Sequence, residues 1–139
     1  MTVLDTDVLT LVLRGIPVYL ALLGDIPADE VRLPIVAIEE VFRGRLDAIR
    51  KAQQLTRADA LPLAYNNFEA DFILLGRYVT IAYTPAAHTI FLAWRTAKVR
   101  IGTQDLRIAA ICVAHDATLV SRNRRDFDKV PELKLSVWN

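Results

Sequence analysis

The feature that most constrains this chain is an alternation. Short apolar runs take turns with longer segments whose apolar residues recur at helical spacing. Thr2–Leu4, Val31–Val36, Val79–Tyr83 and Thr118–Ser121 read as strands, and Leu135–Trp138 as a last edge strand. Pro34 argues for a strand end or an edge position, because proline cannot donate to a sheet ladder. Val8–Leu13 and Ile16–Leu23 read as one broken helix or two short ones, interrupted at Gly15 and Pro17. From Val36 to Leu55 runs an amphipathic helix with Ile38, Val41, Phe42, Leu46, Ile49 and Ala52 on one stripe. Leu63–Arg77 follows as its antiparallel partner in a hairpin. Pro85 opens a helix to Lys98, and another starts near Asp105 with Thr103 as N-cap. Strands separated by helices pair in parallel, so the expected fold is α/β. It is a single domain over residues 1–139, three layers α/β/α around a mostly parallel sheet of four to five strands.

Composition removes several classes. Hydrophobic residues make up 53% of the chain, which excludes disorder, while the 24% that are charged interrupt every apolar run. None reaches the roughly 18 residues of a membrane span. Asp5 and Asp7 stand where a signal peptide would carry basic residues. One cysteine, Cys112, can form no internal disulfide, so a reducing cytoplasm is the expected compartment. The net charge of +1 names no partner, but Arg122, Arg124 and Arg125 gather within four positions.

Four acidic or polar positions fall at comparable places in the alternation. Asp5 ends the first strand, Glu39 or Glu40 lies early in the helix after the second, Asp105 begins a helix, and Asn123 with Asp126 follows a strand. Such an edge is where α/β sheets bind ligands. Carboxylates brought together raise one another's pKa unless a cation compensates, and a hard divalent ion does so with room left for a phosphate. Neither His88 nor His115 has an evident partner for base catalysis, and serine-nucleophile, P-loop, dinucleotide and CxxC patterns are absent. Metal-dependent hydrolysis is the chemistry that survives. Helical phase places Glu39 nearer the apolar stripe than Glu40. Asp7 has the position of a helix cap or of a further ligand, and the arginines beside the site could contact phosphate.

Val3-Leu4-Asp5-Thr6-Asp7-Val8-Leu9 resembles the opening of PIN-domain ribonucleases, particularly the VapC-type toxins of bacterial toxin–antitoxin pairs. Glu40-Val41-Phe42-Arg43-Gly44 is similar to their glutamate motif, and Asp105-Leu106-Arg107-Ile108-Ala109-Ala110 to their third acidic motif. The run from Leu119 to Phe127 resembles their fourth motif, and Val130-Pro131-Glu132-Leu133 with Trp138 their ending. The segment from Arg57 to Tyr83 matches no motif. The resemblance implies an endoribonuclease that uses Mg²⁺ or Mn²⁺ on single-stranded RNA or RNA loops. It also implies a small antitoxin as partner and a homodimer. Carried over motif by motif, Asp5, Glu40 and Asp105 become metal ligands or orient metal-bound water. Asn123 becomes the fourth corner of the catalytic set. Ser121 stands where the family carries a small hydroxyl residue; by their own positions Asp7 and Asp126 are expected to support the site and Arg122, Arg124 and Arg125 to contact phosphate. Two rival readings are a haloacid-dehalogenase-like phosphatase using Asp5 and Asp7, and a binding module of the same fold without catalysis.

Overall fold

A computed structural model describes residues 1–139 as a three-layer α/β/α domain around five strands. In chain order these are β1 (Thr2–Leu4), β2 (Val31–Pro34), β3 (Val79–Ile81), β4 (Thr118–Ser121) and β5 (Lys134–Val137). Every pairing is parallel and the order is β3-β2-β1-β4-β5. The helices are α1 (Thr6–Leu13), α2 (Pro17–Gly24), α3 (Ile35–Ala52), α4 (Ala60–Leu75), α5 (Pro85–Thr96), α6 (Thr103–Ala114) and the single turn α7 (Arg124–Phe127). No single helix is long and apolar enough to cross a membrane.

The chain steps outward from β1 to β2 and β3, then returns to the other side of β1 for β4 and β5. That reversal lies between β1 and β4, the point where α/β sheets open a crevice beyond the strand ends. Strands buried on both faces read as continuous apolar runs, and Val3, Leu4, Leu119 and Val120 are in the core. Helix α6 is enclosed on nearly every side: Leu106 and Ile108 through Cys112 have no exposure. Its mixed helical spacing is therefore that of an interior helix, not of a surface one. A second small cluster of Ile49, Ala52, Ala60 and Ala64 joins α3 to α4.

Several boundaries move from the sequence reading. β2 stops at Pro34, which caps α3, so the helix starts at Ile35 and ends at Ala52. Pro34 is the last residue of an interior strand, where its missing N–H is tolerated. α4 spans Ala60–Leu75 because Pro62 falls in its first turn, where the N–H is unpaired anyway. β3 ends at Ile81 rather than Tyr83, and α5 at Thr96 rather than Lys98. β5 is the expected edge strand, displaced by one residue. Leu46 is exposed despite its place on the apolar stripe. The sheet is parallel throughout.

Candidate active site

Every strand points the same way, so β1 and β4 deliver Asp5 and Ser121 to one edge. The N-terminus of α6 returns Asp105 to the same edge, since α6 precedes β4. Asp5 is only 3% exposed and its backbone N–H donates to the Val120 carbonyl (3.0 Å), which extends the β1–β4 ladder by one residue. Its Oδ1 accepts from the Val8 N–H at 2.8 Å and caps α1. Ser121 Oγ donates to Oδ2, and the same Oγ accepts from the Asn123 N–H at 2.9 Å. Each carboxylate oxygen of Asp5 is thus held by one hydrogen bond.

Burial pushes the Asp5 carboxyl up to about 6; the Ser121 and Val8 hydrogen bonds pull it down, and the charges of Asp7 and Asp105 push it further up. Asp105 is also pushed up to about 6, first by burial and then by Glu40, Asp126 and Asp7. Asp5, Asp7, Asp105, Arg122 and Asn123 line a cleft of about 410 Å³. Arg122 stands 3.7 Å from Asp7 and lies 5.9 Å over the Tyr19 ring. No cation lies against Asp5 or Asp105 themselves.

The two glutamates diverge. Glu40 accepts from Thr6 Oγ1 at 2.6 Å, and its charge is felt at Asp105. Glu39 is engaged outside by Arg43 and by Gln104, whose amide donates at 2.7 Å. Asn123 lines the cleft while its Oδ1 caps α7 and its Nδ2 donates to Asp126 Oδ2 at 2.9 Å. The Asn123 bond, before the weaker influence of Lys129, holds the Asp126 carboxyl below its ordinary value. Of the three clustered arginines only Arg122 faces the cleft; Arg124 pairs with Asp128, and Arg125 is exposed.

Two capping expectations are corrected. Gly102, not Thr103, is the N-cap of α6, with Thr103 inside the helix. α1 is capped by Asp5, leaving Asp7 exposed in the first turn. An extended residue leaving a strand has the backbone geometry that a cap needs, and Asp5 has it (φ −72°, ψ 169°). Sequence reasoning also missed Thr6 as the partner of Glu40, and a buried Asp71 paired with Arg45 on the adjoining cleft that Glu40 lines. The available signal for Asp71 was an acid directly before the apolar run Phe72–Leu75 of α4. No lysine lines the acidic cleft, so the Asp5/Asp7 phosphatase arrangement finds no support there.

The donors of the cleft are oxygen atoms, the set a hard cation takes. No three acidic side chains converge into a ready-made ligand shell. The residues fit an ion that keeps most of its water and takes one or two carboxylates, the habit of Mg²⁺.

This arrangement of sheet, helices and edge defines a PIN-like domain. No protein-family model and no curated protein matches the sequence. Solved structures do match over the whole length. A chain of the VapBC2 complex from Rickettsia felis, solved with a promoter DNA fragment, has a TM-score of 0.75 at 21% identity and covers 99% of this chain and 98% of its own. A chain of DNA-bound VapBC from Salmonella typhimurium gives 0.72 at 15% identity, with coverage of 99% and 98%. FitAcB from Neisseria gonorrhoeae gives 0.68 at 22% identity, covering 100% and 97%. At these identities the likeness establishes the fold.

Proposed function

We propose that the protein is a Mg²⁺- or Mn²⁺-dependent endoribonuclease acting on single-stranded RNA or RNA loops, the toxin of a toxin–antitoxin pair. One observation carries this reading: two carboxyls pushed up to about 6 share a sheet-edge cleft with no cation against either. Asp5 and Asp105, which line the cleft, are the residues that would hold the metal, and Glu40, on the adjoining cleft, would act on it through its water. When bound, such an ion supplies a nucleophilic water at neutral pH and offsets charge on the reacting phosphodiester.

The remaining work belongs to the chain. Asp5 is immobilised by Val8 and Ser121, so its geometry does not have to be organised at each turnover. Thr6 fixes Glu40, in the second turn of α3, in the adjoining cleft. Asn123 offers an amide that orients water without adding a further negative charge. Arg122, set over Tyr19, is placed to meet a substrate phosphate.

The partner in this reading is a small antitoxin whose helix lies on the α3–α4 hairpin. Phe42, Pro62, Tyr65, Phe68 and Phe72 form an open apolar groove there, and Phe72 is 60% exposed. Such grooves take the apolar face of an amphipathic helix. A homodimer would use Ile35, Ile73 and Val79, exposed beside the open strand β3.

Purified protein incubated with mixed single-stranded RNA should cleave it with Mg²⁺ or Mn²⁺ and not in EDTA. Asp105→Asn should abolish cleavage while the fold persists. Cleavage in EDTA, or an active Asp105→Asn variant, overturns the reading.

A further inference from the structure

About half of the 17 lysines and arginines are paired with acids. None of the ion pairs, however, involves Arg95, Lys98 or Arg100, which crowd the connection between α5 and α6. All three are exposed and line one open groove of about 610 Å³. Its other end is formed by Gly102 and Asp126. A Cβ placed on Gly102 would lie 3.8 Å from Asp105 Oδ2, and the Asp126 charge is felt at Asp105. The basic groove therefore borders the acidic cleft, on a different wall from Arg122.

The groove is held in shape. Arg95 lies 5.5 Å over the buried Phe91 ring, and Arg107 shares that ring at 5.3 Å. Helix α5 closes with the Val99 N–H on the Trp94 carbonyl (3.0 Å) and the Lys98 N–H on the Arg95 carbonyl (3.1 Å). This is a Schellman closure, whose left-handed position is usually glycine; here it is Lys98 at φ 60°. The backbone would accept glycine with less strain, so the lysine contributes a cation at a conformational cost.

We infer that Arg95, Lys98 and Arg100 form the track along which the RNA backbone runs away from the acidic cleft, each cation meeting a phosphate. The inference rests on the nuclease reading above. A polyanion is the occupant because the groove is cationic, unpaired and continuous with a site that reacts at a phosphodiester. An acidic protein surface is the rival, and it predicts no change in RNA binding.

The test uses a short fluorescein-labelled single-stranded RNA, with binding followed by anisotropy in EDTA across a salt series and cleavage followed in Mg²⁺. Arg95→Gln/Lys98→Gln/Arg100→Gln should weaken binding roughly tenfold at low salt and lower the slope of log K against log salt by about 2, at about 0.7 per phosphate contact. KM should rise with kcat nearly unchanged. Lys98→Gly should lower the slope by about 0.7 without lowering the melting temperature, which separates binding from folding. Arg77→Gln removes the same charge before β3, at the opposite edge of the sheet, and should leave the slope alone. If wild type cleaves RNA but the triple variant keeps its KM and salt slope, the track is overturned alone. If wild type does not cleave RNA with either metal, the nuclease reading fails first and takes the track with it.

Discussion

Two aspartates are buried in this protein, and they are buried differently. Asp71 on α4 is 5% exposed and lies against Arg45 of α3, so the chain supplies its counter-charge and the pair ties the hairpin together. Asp5 is 3% exposed and is met by a hydroxyl and a backbone N–H, with two other carboxylates nearby. An interior anion with its own cation is structural. One surrounded by neutral donors and like charges is an open electrostatic position. In the proposed reading, that difference is why the β1–β4 edge, and not the hairpin, is assigned the chemistry.

The largest expected effect breaks the satisfied pair. Arg45→Ala leaves Asp71 buried without its cation and should destabilise the fold by about 3 kcal/mol, since removing one partner of a buried pair costs more than the pair is worth. Chemical denaturation measures it, and metal-dependent cleavage per folded molecule should not change. Asp5→Asn removes a charge that nothing neutralises, so its metal-free stability should match or exceed wild type.

The next effect is on the scaffold of Asp5. Ser121→Ala removes the hydroxyl that donates to Oδ2 and should raise the Mg²⁺ concentration for half-maximal cleavage by roughly tenfold or more, the usual cost of losing an outer-shell partner. An unchanged requirement would mean that Ser121 only fills space.

Asp5 and Asp105 also give metal-free protein a distinctive pH dependence. A carboxyl whose folded pKa lies above its unfolded one destabilises the fold when ionised, and the penalty fades as pH falls through the folded value. Between pH 7 and 5 the stability in EDTA should therefore rise by about 1 kcal/mol, mostly from Asp5 because Asp105 is more open to solvent. Below that window Glu39, Asp47 and Asp116, whose carboxyls are held low by hydrogen bonds and neighbouring cations, lose their contributions as they protonate. The smallest effect separates the glutamates: Glu39→Gln should change the cleavage rate less than about twofold, an exposed ion pair being worth little, whereas Glu40→Gln should lower it severalfold or more.

Much of this was legible in the residues because the strands are short, apolar and punctuated by Asp, Pro and Gly. The order of strands and helices, the parallel sheet and the gathering of Asp5, Asp105 and Asn123 at one edge follow from that alternation. Periodicity misplaced what tertiary contacts decide. Leu46 fits the stripe of α3, yet it is exposed. Glu39 fits the helical phase better than Glu40, yet Thr6 of α1 and Gln104 of α6 fix their opposite directions. The Arg45–Asp71 pair joins residues 26 positions apart and has no local signature. The basic groove is scattered from Arg95 to Asp126 and appears only when α5 closes beside α6.

The most direct test of the central claim is the shift in melting temperature when Mn²⁺ or Mg²⁺ is added to metal-free protein at pH 7. A ligand that binds only the folded state stabilises it by RT ln(1 + [L]/Kd), about 2.7 kcal/mol at a hundredfold excess over Kd. Wild type should be stabilised by several degrees, and Asp5→Asn, folded and at least as stable without metal, should lose most of that shift. Equal stabilisation of both proteins, or none in wild type, would contradict the assignment of Asp5 as the open electrostatic position.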